Sequence, residues 1–241
     1  MIIESLAQFA EAIEQMSAKR PGALLWFRGQ ARIDWPLRPA AFRGFTFQQE
    51  VAFYRDFRLR APSRMLQVPG DADLHRWITL MRHHGLPTRL LDWTTGALIA
   101  LYFAVSSESE SDGAVFVLDP FALNQRYLGN PNVSHLGSST ILPILRPPFM
   151  LGADLPEGKI AAVITEENNL RMLMQQGSFT VHAGQQGLDV EKHRECIACI
   201  IIARLAKQKI AMSLSSNGIR RSSLFPDLDN LAADLKENIA G

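Results

Sequence analysis

Three stretches of this chain bring together residue types that bind or transform a ligand. The first is Trp26-Phe27-Arg28-Gly29-Gln30, where a guanidinium stands beside a glycine. Arg offers a planar fork that bonds a phosphate or carboxylate through two N–H groups, and glycine lets a ligand approach the backbone. Arg28 therefore reads either as an anion or substrate contact or as a buried tie to Asp92 or Asp34. The second stretch is His83-His84-Gly85-Leu86-Pro87-Thr88-Arg89-Leu90-Leu91-Asp92-Trp93-Thr94, which abuts a run to Ser107 in which Tyr102 is the only ionisable side chain. Arg89 and Asp92 must there be paired or ligand-bound, because an isolated buried charge is prohibitively costly. An Arg89–Asp92 pair would brace this loop as a collar on the core, while Asp92 or Thr94 caps the helix that follows. His83 and His84 sit at a helix end, as caps favoured by the helix dipole or as ligand contacts. Adjacent side chains point about 100° apart on a helix, so the two do not share a metal. The third stretch is Met174-Gln175-Gln176-Gly177-Ser178-Phe179-Thr180-Val181-His182. An amide is not a general base, so Gln175 and Gln176 suit the orientation of a polar ligand; Glu166 and Glu167 read as solvated first-turn residues.

The elements that must position these groups follow from spacing. Ser5 caps a helix carried by Leu6, Phe9, Ile13 and Met16. Residues 23–27 read as a short buried strand delivering Arg28 at its end. Helices are predicted over 47–60, 73–84 with Gly85 as stop, 165–174, 204–216 and 226–238, and strands over 114–118, 178–181 and 197–202. The run 97–105 is apolar almost all round, the pattern of a helix inside a core. Residues 124–159, rich in proline, read as a long irregular connection. This order predicts an α+β fold: a single mixed domain over 1–241 with a short-stranded sheet, a buried central helix and surrounding helices.

Composition narrows the class. With 47% hydrophobic and 20% charged residues, the 241-residue chain is ordinary for a globular protein. A formal net charge of +1 excludes a polyelectrolyte-binding surface spread over the whole chain. Arg accounts for 19 of the 25 basic residues; Arg55, Arg58, Arg60 and Arg64 read as a solvated face, Arg28 does not. No apolar run reaches the roughly 18 residues of a membrane span, and the start lacks a basic leader, so a cytoplasmic protein with no membrane contact is expected. Cys196 and Cys199 lie in an apolar run read as a strand, where positions three apart face opposite sides, so they are expected to be inert core thiols and no metal is expected. Walker A, Rossmann, Gly-x-Ser-x-Gly and His-Glu-x-x-His signatures are absent.

Together with Asp112-Gly113-Ala114-Val115-Phe116-Val117-Leu118 and Leu224-Phe225-Pro226-Asp227-Leu228-Asp229, the three stretches make the chain from about Leu25 to Ile239 resemble the FRG domain, a bacterial family named for Phe-Arg-Gly. The resemblance implies an ADP-ribosyltransferase-like enzyme, in which an Arg on the first core strand binds NAD and a late motif, usually with Glu, acts on the target. Here Gln stands in place of that Glu, which argues against transfer to arginine side chains. On this analogy Arg28, Gln176 and His84 would be the catalytic residues. Phe27, Arg28, Gly29, Gln30, Arg89, Thr94 and Phe179 would hold NAD. Such a protein would be a toxin or phage-defence effector acting on a macromolecular target, protein or nucleic acid, with a cognate antitoxin or defence partner. A second class is a non-catalytic module whose Arg28, Arg89 and His84 recognise a nucleotide or another anionic ligand, with the proline-rich middle as a partner-contacting lid. A third, a nuclease-type effector, would need clustered carboxylates that the sequence does not show.

Overall fold

The computed structural model describes residues 1–20, 22–145, 149, 158–166 and 170–240. Short apolar and β-branched runs pair into one mixed sheet. Its strands are β1 (Ile2–Ile3), β2 (Trp26–Gln30), β3 (Leu90–Thr94), β4 (Gly113–Leu118), β5 (Ser134–His135), β6 (Ile160–Ile164), β7 (Gly177–His182) and β8 (Ile197–Ile202), in the spatial order β1-β8-β4-β2-β3-β7-β6-β5. The β1–β8 and β5–β6 pairs are parallel and the rest antiparallel.

The pairing is uneven. β2 follows β4 along its whole length, from Trp26 opposite Leu118 to Gln30 opposite Ala114, and β3 follows β7 from Leu90 opposite Val181 to Thr94 opposite Gly177. Between them, β2 and β3 meet only where Phe27 lies opposite Thr94. The sheet is therefore two ladders joined at one point, and beyond that point it is split.

Strand alternation distributes the core around this split. On one face, Phe27, Val115 and Val117 pack with α1 (Leu6–Ala18), α4 (Ala97–Val105) and α8 (Lys207–Ser216). On the same face of the other ladder, Leu90, Phe179 and Val181 pack with α3 (Leu74–His83), α6 (Leu142–Leu145) and Met172 of α7 (Leu170–Met174). Behind the sheet one layer, including Trp26, Leu91, Trp93, Phe116 and Ala162, runs across both ladders under α5 (Pro120–Leu128). Gly29 allows α4 to lie directly on β2: a Cβ there would come within 1.8 Å of the Ala100 carbonyl oxygen. Lys207 closes the base of this ladder. Its buried ammonium donates to the carbonyls of Ala31 (2.6 Å), Ser107 (3.1 Å) and Glu108 (2.8 Å), joining the end of β2, the turn after α4 and the start of α8.

The mixed α+β architecture and the buried helix 97–105 are as the sequence predicts. Three expectations are corrected. Residues 90–94 form strand β3 inside the sheet rather than a loop, and Arg28 lies in the middle of β2 rather than at a strand end. Within 124–159, the described residues include the end of α5, then β5 and α6. Asp119 caps α5 by accepting from Phe121 and Ala122 N–H, Gly129 ends it at φ 68°, and buried Asn124 bonds both backbone groups of Ala162. Pro147, Pro148, Pro156 and Glu167 lie outside the described residues. At the other end, α2 (Phe47–Arg60) starts at a Thr46–Gln49 capping box, and α9 (Arg221–Leu224) and α10 (Leu228–Ala240) complete the chain.

Candidate functional site

Where the ladders part, a cleft of about 390 Å³ opens on the helix-covered face. Phe27, Arg28 and Gly29 come from β2, Asp92 and Thr94 from β3, and Phe179 from β7. Helix α3 adds Thr79, Arg82 and His83, α4 adds Phe103, and Met172 and Gln175 close the far side. Phe27, Thr94, Asp92 and Phe179 converge because alternation puts them on one face; Arg28 reaches the same space through the split itself.

A cluster of two guanidiniums and one carboxylate forms the polar floor. Arg28 Nη1 donates to the backbone oxygen of Asp92 at 2.8 Å and lies 3.5 Å from Asp92 Oδ2. Arg82 binds the same carboxylate with both arms of its fork, Nε to Oδ1 at 2.9 Å and Nη2 to Oδ2. Burial works against ionisation of Asp92, but the Arg82 and Arg28 guanidiniums overcome it and hold the carboxyl below its usual range. Burial pulls Arg28 down to about 10, against the attraction of Asp92, which leaves it cationic at neutral pH. The floor thus carries a surplus of positive charge, and among the described residues the buried Nε of Arg28 meets no hydrogen-bond partner. Asp92 remains 39% exposed, so it faces the cleft rather than the core.

Of the residues singled out from sequence, Phe27, Arg28, Gly29, His83, Asp92, Thr94, Gln175 and Phe179 line the cleft together. Arg89, Gln30, His84 and Gln176 are elsewhere. Arg89 does not pair with Asp92: it forms a bidentate pair with Glu50 of α2, Nε to Oε1 at 2.8 Å and Nη2 to Oε2 at 2.6 Å, and also donates to the Ala183 carbonyl. Asp92 lies inside β3 and presents its side chain to the cleft, whereas Arg89 sits at the bend just before the strand and turns to α2. Gln30 is buried away from the cleft. His84 is the C-cap of α3, with its ring near Phe57, and His83 takes the place at the cleft. Gln176 adopts φ 47°, and its side-chain and backbone oxygens both accept from Thr95, so it anchors a turn while Gln175 lines the cleft. Neither Asp92 nor Thr94 is the N-cap of α4; Gly96 is, and the Thr94 hydroxyl accepts the Gly96 N–H. Cys196 precedes β8 and packs on the same layer as Cys199, so the two do not face opposite sides; burial raises both thiols, Cys196 to about 11.

Sequence reasoning missed Arg82, and a signal was available. Leu74, Ile78 and Arg82 are spaced i, i+4, i+8 along α3, so a charge continues an apolar stripe. Thr79, Phe103 and Met172 carry no such mark. Behind the cleft, His182 lies in a buried relay. Its Nδ1 donates to the Gln186 carbonyl, which leaves Nε2 to accept from the Thr180 hydroxyl, and Thr180 accepts from the Trp93 indole. Burial depresses His182 to about 4, so it is neutral at pH 7 and supports the wall without lining it.

Among the described residues, no group of three or more His, Cys, Asp or Glu side chains is placed to hold a metal ion, and no helix is long and apolar enough to cross a membrane. Residues 23–113 match the family model of the FRG domain. That span runs from just before β2 to the start of β4, so it holds the Arg28–Asp92–Arg82 floor, while Gln175 and Phe179 lie beyond it. No curated protein and no solved structure matches the chain.

Proposed function

We propose that the chain, whose residues 23–113 match the family model of the FRG domain, binds a nucleotide in the split-sheet cleft, with NAD the first candidate. The observation that carries this reading is the surplus guanidinium charge on the cleft floor, with a buried Arg28 N–H left over. A buried donor without a partner costs about 1–3 kcal/mol, and a phosphate oxygen supplies both the missing acceptor and the missing negative charge. Phe27, Phe103 and Phe179 offer ring faces and edges to a planar base, and the cleft volume falls in the range of small-molecule sites.

ADP-ribosyl transfer to a macromolecular target is the chemistry this reading admits. Cleavage of the nicotinamide–ribose bond builds positive charge on the ribose, and Asp92 is the carboxylate among the cleft-lining residues. Gln175 and Gln176 do not serve as bases, so a role in turnover falls to Asp92. Binding without turnover is the second reading, favoured by the engagement of Asp92 with two arginines. A toxin or phage-defence effector with a cognate antitoxin is the biological setting we assign to either.

The test is thermal stabilisation by NAD, ADP-ribose and ATP beside nicotinamide riboside, which lacks the pyrophosphate. A phosphate-bearing ligand at a hundredfold its Kd adds about 2.7 kcal/mol, a rise of about 5–10 °C for a chain of this size, lost in Arg28→Ala. Asp92→Asn keeps this shift but lowers nicotinamide release roughly a hundredfold or more if Asp92 acts in transfer. No stabilisation by any of the phosphate-bearing ligands at millimolar concentration overturns the reading.

A further inference from the structure

The two lips of the cleft belong to different ladders, and the C-terminal segment touches both. Phe103 sits on α4, which packs on β2. Gln175 sits just before β7, which pairs with β3. The Phe225 ring meets Phe103 edge-on with centroids 6.1 Å apart, and the adjoining Leu224 carbonyl accepts from Gln175 Nε2 at 3.1 Å. Two consecutive residues thus hold one side chain from each lip, outside the point where β2 and β3 part.

This clasp is carried by a slender unit. Leu224 is buried, but α10 packs chiefly on α9, and α9 on α7. Within the unit, Asp234 accepts from Ser222 N–H at 2.8 Å, and Arg221 bonds Asn230. Segments held by few contacts open at a fraction of the global unfolding free energy, so the clasp releases while both ladders stay folded. Inside the cleft, the Arg28–Asp92 contact also spans the split and keeps the ladders tied near the Phe27–Thr94 junction, so release of the clasp frees the lips at their outer end alone.

We infer that residues 220–240 form a gate that sets the width of the cleft and hence access to it, whichever ligand the cleft takes. The experiment needs no ligand. Ser178 lines the cleft and is almost wholly shielded, so Ser178→Cys reports access through its rate of alkylation by iodoacetamide, read at peptide level by mass spectrometry. Cys196, fully buried behind the sheet, is the internal sentinel for global unfolding. Phe225→Ala deletes the ring contact and raises the rate at position 178 about tenfold while Cys196 stays silent. Asp234→Ala, which loosens α9 from α10 without touching either lip, raises it in the same sense and serves if Phe225→Ala does not fold. An unchanged rate in these variants, or a rise at position 178 matched at Cys196, overturns the gate. Since no nucleotide is present, the result is separate from the success or failure of nucleotide binding.

Discussion

Removing Glu50 tests where the structure places its most consequential charge. Arg89 and Glu50 are 2% and 4% exposed, so each ion has exchanged water for the other. Glu50→Ala leaves the Arg89 guanidinium buried without a counter-ion, facing the His182 and Ala183 carbonyls and the Phe42 and Phe149 rings, and stripping one partner from such a pair costs about 3–5 kcal/mol. The retained bond to the Ala183 carbonyl, 3.1 Å long, argues for the lower end, about 3 kcal/mol. At about 2–4 °C per kcal/mol for a chain this long, the melting temperature falls by about 6–12 °C. Asp92→Ala provides the contrast. Its carboxylate is 39% exposed, solvent screens the interaction, and a loss of about 1 kcal/mol is expected. Urea unfolding with unchanged slope gives both values from the midpoints. Replacing the whole buried pair by Glu50→Leu with Arg89→Met recovers most of the loss, because no charge is then stranded. The reasoning fails if Glu50→Ala costs less than Asp92→Ala, or if the double substitution is worse than Glu50→Ala alone.

Two other outcomes follow from named groups. His182 is held neutral in the fold at about 4 but titrates near 6.5 when unfolded, so the unfolded chain binds the extra proton between these values. Stability therefore rises with pH from about 4 to 6.5 and is level above; the loss on acidification approaches roughly 3 kcal/mol, and His182→Gln flattens that limb in a pH series of urea midpoints. The partly buried His75, also lowered by desolvation, leaves a smaller slope of the same sign. Gly29→Ala forces a methyl against the Ala100 carbonyl; α4 must lift from β2, at a cost of roughly 3 kcal/mol measured by chemical denaturation.

What the sequence made legible was whatever rests on local period. The helix 47–60, the strand 197–202 and the buried helix 97–105 are spelled out by spacing alone. Misreadings came where a single residue's secondary structure set a side-chain direction. Taking 88–94 as a loop turned Arg89 and Asp92 into a pair; with 90–94 a strand and Arg89 at the bend before it, the two side chains part, one to Glu50 and the other to the cleft. The choice between His83 and His84, and between Gln175 and Gln176, was settled by turn geometry at Gly85 and at the left-handed Gln176. The split itself was invisible, because strand order is a matter of long-range pairing that no local pattern encodes.

Lys207 has a further use that follows from its burial. The other five lysines, at positions 19, 159, 192, 209 and 236, stand in water, whereas the Lys207 ammonium is enclosed by three carbonyls. An amine so enclosed keeps its lone pair tied up as N–H and out of reach of acylating reagents. In the folded chain Lys207 is thus a silent amine among reactive ones, and the appearance of a label there marks the moment at which the end of β2 comes away from the turn after α4. The protein carries, in one side chain, its own chemical timer for the integrity of the strand that presents Arg28.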